Sequence, residues 1–256
     1  YDAESRDVYV TSGHLRRKLF SYFKEGRASA IDFCDILFLD ESHTGSIDNT
    51  VIASLWTYAA STGVPVPRIV LLSATPAPLK IVPTPVKFGI PVPTAYDIQF
   101  RYNPVPRADN IKPAGIYTGI ADVVRRILSG EDDAPGDILI FLPGSSEVEK
   151  MTATLEAVVK KLNLPVEARP LISGAYSAMQ KKDIDIIYRP STQRKIIAAT
   201  NIAESSITID GLGVVIDSML EKRAGTSGSG GFRLTTEYIS KDSSTQRAGR
   251  TGRTRN

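Results

Sequence analysis

Short apolar runs recur along this chain and constrain its fold more than any other feature: CDILFLD (34 to 40), RIVLLSA (68 to 74), GDILIFLP (136 to 143), RKIIAAT (194 to 200) and GVVIDS (213 to 218). Each is only a strand's length, and stretches of helical period lie between them, as a parallel sheet with crossover helices requires. The helical candidates are SGHLRRKLFSYFKEG (12 to 26), the Ser-capped and Gly-stopped segment 46 to 63, a stretch near 118 to 129, SSEVEKMTATLEAVVKKLN (145 to 163) and a stretch near 177 to 188. DVYV (7 to 10) and PVEARPLI (165 to 172) read as further strands, and the turn-rich AGTSGSGG (224 to 231) as the tip of a hairpin between MLEKR and FRLTTEYI. The expected class is α/β with mainly parallel sheets.

Between Pro76 and Pro113 the period breaks down, and proline recurs too often for a helix or a central strand. This reads as a linker, and a chain of 256 residues has room for two small domains. The expected division is 1–92 and 93–256. Cys34 has no second cysteine to pair with, and with His14 and His43 it cannot make a zinc pattern, so an intracellular, most simply cytoplasmic, setting is expected. No apolar stretch reaches the ~20 residues of a membrane span. The net charge of +3 excludes a polybasic coat and requires any nucleic-acid contact to be local. The chain opens on Tyr1 and runs quickly into VYV, so it is expected to start inside a longer polypeptide.

Several strand ends carry chemistry. Asp40 and Glu41 follow ILFL, where a parallel sheet presents its carboxyl edge to ligands. Such a pair can hold magnesium against a nucleoside triphosphate and orient the attacking water, although a solvated turn has the same composition. LLSATP (71 to 76) ends another run in small hydroxyls, and Ser73 and Thr75 could hydrogen-bond to the acidic edge and relay its state. STQRAGRTGRTRN (244 to 256) carries Arg247, Arg250, Arg253 and Arg255 with no acid among them. At a spacing of three the first three would share a helical face and suit phosphate oxygens, with Gly249 and Gly252 allowing close packing; a disordered basic tail is the plainer reading. In AATNIAESSITIDGLGVVID (198 to 217), Thr200, Ser206 and Thr208 could donate to phosphate or to a lytic water.

In order, TSGHLRR (11 to 17), DESH (40 to 43), SAT (73 to 75), FLPGSSEVE (141 to 149), ATNIAESSITIDG (199 to 211) and QRAGRTGR (246 to 253) resemble motifs Ib, II, III, IV, V and VI of superfamily 2 helicases. The likeness is to the DEAH/DExH-box RNA helicases, and TSG, SATP and TPVKF also resemble the helicases of positive-strand RNA viruses such as potyviruses and flaviviruses. It implies two RecA-like lobes, the first truncated at its start, with ATP or another NTP and magnesium as cofactors and single-stranded RNA as partner. Asp40 would bind magnesium, with Glu41 beside it as catalytic base. His43 would link the lobes through Gln246; Gln246, Arg250 and Arg253 would face the triphosphate, the arginines as fingers. Ser206 would sense the γ-phosphate or place the water, and Thr11, Gly13, Thr200 and Thr208 would follow the nucleic-acid backbone.

Two departures stand out. Ser42 replaces the Ala or Cys of those classes, and because the turn is expected to need only a small side chain, little effect is expected. More seriously, no G-x-x-x-x-G-K-[S/T] phosphate loop occurs anywhere, and motif Ia is missing as well. The loop is expected upstream of Tyr1, so these residues alone should hydrolyse no ATP. The rival readings are a nucleic-acid-binding or assembly module without catalysis and a DNA translocase of the same superfamily.

Overall fold

The computed structural model describes residues 7–24, 33–42, 46–73, 88–89, 96–102, 113–177, 181–205, 209–226 and 231–252. Contacts divide the chain into two compact units, Tyr1–Ile90 and Pro91–Asn256.

In the first unit, α1 (Ser12–Lys24) and α2 (Ile47–Ser61) pack on one face of two parallel strands, β1 (Ile36–Leu39) and β2 (Arg68–Leu71). Thr11 caps α1, its hydroxyl accepting from the His14 amide at 3.3 Å, and Leu15 and Leu19, four apart, bury the inner stripe. Ser46 caps α2 by accepting from the Asn49 amide at 3.2 Å. Leu39, Ile52 and Ala59 complete the core with the α1 leucines, and each fully buried leucine or isoleucine contributes about 1.5–3 kcal/mol.

One expectation for this unit needs correction. Residues 7 to 10 are irregular rather than a strand, with Tyr9 96% exposed, because no neighbouring strand among the described residues completes their hydrogen bonds. β1 is buried on one face only: Leu39 is in the core, whereas Ile36 and Phe38, which alternate with it, are 46% and 61% exposed.

The second unit is three-layered. Its sheet has the order β4-β5-β3-β6, all parallel, from β3 (Asp137–Phe141), β4 (Leu171–Ala175), β5 (Lys195–Ala199) and β6 (Leu212–Asp217). α3 (Pro113–Leu128) and α4 (Ser145–Leu162) cover one face, meeting Ile138, Ile140, Ile196 and Ala198. α5 (Lys181–Tyr188) and the single turn α6 (Ile202–Ser205) lie on the other face, where Ile187 and Ala203 meet Leu139, Phe141, Ile197 and Ala199. Burial on both faces explains why β3 and β5 are unbroken apolar runs. β7 (Leu220–Thr226) and β8 (Phe232–Tyr238) form the expected antiparallel hairpin, and α7 (Lys241–Ala248) follows it.

The segment 165 to 172 is not one strand. A short 3-10 turn at Val166–Ala168 precedes β4, because Pro165 and Pro170 have no amide to give a sheet. The helix expected near 118 begins five residues earlier, with Pro113 in the first position, where a missing amide costs nothing. Most of the proline-rich segment from 76 to 113 lies outside the described residues.

Candidate functional site

Among the described residues, the carboxyl ends of the strands carry Asp40 and Glu41 after β1, Ser73 near the end of β2 and Thr200 after β5. In the first unit Asp40 and Glu41 leave β1 in a tight turn: Asp40 Oδ1 accepts from the Glu41 amide at 2.8 Å, and Glu41 adopts the left-handed region at φ 50°. Asn49, buried in α2, donates from Nδ2 to the Asp40 carbonyl at 3.1 Å and fixes the turn from behind. The Ser42 amide and hydroxyl both reach the Leu72 carbonyl, at 3.0 and 2.9 Å, so the turn is stitched to the end of β2, next to exposed Ser73.

The Asp40 carboxylate is exposed, with one oxygen on the Glu41 amide, so its second oxygen can accept from a metal-bound water. Magnesium keeps most of its waters and needs only one or two carboxylates, so the donor set fits it. No group of three or more metal-ligating side chains occurs among the described residues.

Thr11 and Gly13 lie at the start of α1. The Thr11 hydroxyl is used as a cap, and a Cβ at Gly13 would stand 3.2 Å from Asp48 Oδ2. An acid so near is poor company for phosphate, although Arg16, 3.1 Å from Asp48, offsets its charge.

In the second unit Thr200 follows β5, its amide donating to the Ala175 carbonyl at 3.0 Å and its carbonyl accepting from Ala203 at 3.1 Å to start α6. α7 is capped by Ser240, whose hydroxyl accepts from the Ser243 amide at 3.1 Å, and it places half-buried Gln246. Past α7 the chain runs along β6, where Thr251 Oγ1 donates to the Gly213 carbonyl at 3.1 Å. Arg250 is half-buried, and its guanidinium donates to the main-chain carbonyl of Glu204 in α6. Thr200 therefore lies at the carboxyl end of β5 and Arg250 beside α6, while Thr251, next in the chain, reaches the amino end of β6.

Arg247 and Arg250 do not share a helical face, and Arg253 and Arg255 lie outside the described residues. α7 ends at Ala248, so Arg250 lies beyond it, and Arg247 turns inward until it is 1% exposed. Its Nε donates to Glu204 at 3.1 Å and its Nη1 to Asp217 at 2.9 Å and the Leu220 carbonyl at 3.4 Å. The guanidinium carbon lies 4.8 Å from the Phe141 ring centroid, and Nη2 has no hydrogen-bond partner among the described residues. Arg247 is thus an internal anchor and is not available to phosphate. Burial pushes the Asp217 carboxyl above its usual value, against the pull of Arg247.

The anchoring acids were missed by sequence reasoning. The signal was Glu204 and Asp217 themselves, two carboxylates in the segment that precedes an arginine run with no acids of its own. Lys222 of β7 and Glu147 of α4 were also missed; they pair at 2.6 Å beside Gly144, where a Cβ would stand 2.8 Å from Lys222 Nζ. His43, Thr75, Ser206, Thr208 and Arg253 lie outside the described residues.

A sequence profile of the helicase conserved C-terminal domain matches residues 119–255. The chain is 37% identical over 161 residues to the ATP-dependent RNA helicase HrpA of Borreliella burgdorferi, covering 62% of this chain and 18% of that protein. It is 27% identical to the probable ATP-dependent RNA helicase spindle-E of Culex quinquefasciatus, covering 99% of this chain and 20% of that protein. Among solved structures, the crystal structure of Escherichia coli DEAH/RHA helicase HrpB aligns with a TM-score of 0.66 at 25% identity, over 93% of this chain and 29% of that one. The chain therefore spans less than a third of the length of each of these relatives. These bacterial and insect proteins lend no support to a viral origin. Among the described residues no helix is long and apolar enough to cross a membrane.

Proposed function

This chain belongs to the helicase conserved C-terminal domain family, and from that premise we propose that it is a core fragment of an ATP-driven RNA helicase. Asp40 would hold magnesium, and Glu41 is the base for the attacking water. Gln246 and Arg250 face the triphosphate, with Arg253 as a second finger and Ser206 beside the γ-phosphate; His43 works with Gln246 to report nucleotide state. Thr200 and Thr208, with Thr11 and Gly13, follow the backbone of single-stranded RNA, and Ser73 and Thr75 relay the state of the acid turn. Magnesium, when bound, supplies charge neutralisation across the phosphates.

The observation that supports this reading is the hold on Arg250, whose half-buried guanidinium donates to the Glu204 carbonyl in α6, the turn that follows β5. A guanidinium fixed there costs little reorganisation when charge develops on a transferring phosphoryl group. Arginine fingers are worth about 10³–10⁵ in turnover. In the intact protein that carries this sequence, single-stranded RNA should stimulate ATP hydrolysis, and Arg250→Ala should abolish most of it. Full turnover in Arg250→Ala would sink the reading.

The 256 residues by themselves contain no Lys-Ser/Thr phosphate loop, and they are expected to hydrolyse no more ATP than a Glu41→Gln control. The same absence favours one other reading, a nucleic-acid-binding module without catalysis. RNA binding by the intact protein with no turnover at any RNA concentration would select it. Tailed duplexes of RNA and DNA in both polarities test the substrate and the 3′ to 5′ direction that the DEAH likeness implies.

A further inference from the structure

Ser42 does more than fit its turn. Its side chain is 3% exposed, and its hydroxyl donates to the Leu72 carbonyl at 2.9 Å, the oxygen that also receives its own amide at 3.0 Å. The Leu72 amide returns a bond to the Leu39 carbonyl at 3.0 Å, so Leu39, Ser42 and Leu72 close a ring around Asp40 and Glu41. Glu41 sits inside that ring at φ 50°, a region that a non-glycine residue holds only when its surroundings enforce it. The acid at 41 and the hydroxyl at 73 are each one residue away from the two ends of the Ser42 to Leu72 link. An Ala at 42 would keep the amide bond and lose the second tie, and a Cys would offer only a weak donor.

We propose that Ser42 is a positioning residue for hydrolysis: its hydroxyl holds the acid turn against the end of β2, so that the setting of Glu41 and the position of Ser73 change together. The proposal rests on the helicase reading above and deepens it, because neither Ala nor Cys at this position can make the same bond. It corrects the expectation that position 42 needs only a small side chain.

The test uses the intact protein that carries this sequence, with ATP, magnesium and single-stranded RNA, comparing wild type, Ser42→Ala, Ser42→Cys and Glu41→Gln. Loss of one net hydrogen bond from a transition-state arrangement should lower RNA-stimulated kcat in Ser42→Ala by about three- to tenfold. The KM for ATP should hold, the thermal unfolding midpoint should fall by no more than the few degrees that one buried hydrogen bond costs, and Ser42→Cys should fall between wild type and Ala. An unchanged kcat in Ser42→Ala overturns the proposal. So does a fall in kcat that only tracks a lowered unfolding midpoint, since the hydroxyl would then be structural. Wild type with no turnover above Glu41→Gln removes the helicase reading and this proposal with it, and is told apart from the other failures by that comparison alone.

Discussion

Arg247 donates to Asp217 at 2.9 Å from a side chain that is only 1% exposed, and this bond joins the helix after the hairpin to the last residue of β6. The same guanidinium holds Glu204, whose carbonyl receives Arg250. One buried arginine therefore helps set the place of a second, through the side chain and the carbonyl of the same glutamate.

Removing Arg247 should be costly, because both carboxylates would stay buried without their counter-ion. Arg247→Ala is expected to lower unfolding free energy by about 3–5 kcal/mol, read by denaturant titration of the second unit's helical signal. Replacing Arg247, Asp217 and Glu204 together with apolar residues of similar volume should recover most of that loss. A loss in the single variant below about 1 kcal/mol, the scale of an exposed pair, would contradict the anchor.

Asp217 should give the stability profile an acid-side signature. Its folded pKa is raised above the ordinary 3.8, burial outweighing Arg247 and the Met219 amide, with Glu204 adding to the rise. A raised carboxyl pKa means that the folded state binds its proton more tightly than the unfolded state. The contribution is therefore complete below the unfolded value of 3.8 and is lost as pH rises through the folded one. Stability of wild type relative to Asp217→Asn should fall as pH is raised across that window. A difference that grows with pH would reverse the assignment.

The layout of the second unit was legible because its central strands are buried on both faces, which writes them as unbroken apolar runs such as ILIF and IIAA. β1 was harder to read: ILFL carries the same pattern, yet Phe38 is exposed, and a strand's sequence does not say how many of its faces are covered. The arginine run was misread for a different reason. Spacing of three promises one helical face only while the helix lasts, and α7 stops at Ala248. Which arginine turns inward depended on Glu204 and Asp217, which are remote in sequence and adjacent in space.

Lys222 and Glu147 fasten the hairpin to the first turn of α4 through two short bonds, at 2.6 and 2.8 Å. Both side chains are largely buried, so Lys222→Met should cost about 1–3 kcal/mol and speed amide exchange in β7 and β8. Burial tends to raise the Glu147 pKa, but bonds from Lys222, Ser146 and its own amide win and hold it below 4.5. A lowered pKa stabilises above the unfolded value and is lost as pH falls through the folded one. Lys222→Met should therefore lose less stability on acidification than wild type does, and equal acid slopes would show that Lys222 is not the cause.

Gly252 is a position where a methyl group should do harm in two ways, through backbone strain and through contact. Its φ is +74°, in the left-handed region, and a Cβ there would stand 2.9 Å from Ile98 Cγ1 and 3.1 Å from the Tyr96 carbonyl. The isoleucine can rotate, but the carbonyl belongs to the backbone of residues 96–102 and moves only if that segment lifts. Left-handed geometry alone costs about 1–2 kcal/mol for a residue with a Cβ. Gly252→Ala should thus destabilise by at least that amount and raise amide exchange across residues 96–102. Gly249 offers the contrast: its φ is −68°, and the nearest atom to an added Cβ is the Thr245 carbonyl at 3.3 Å. Gly249→Ala should cost less and leave exchange at residues 96–102 unchanged. Equal losses at the two glycines would mean that close approach of residues 96–102 is not what requires glycine at 252.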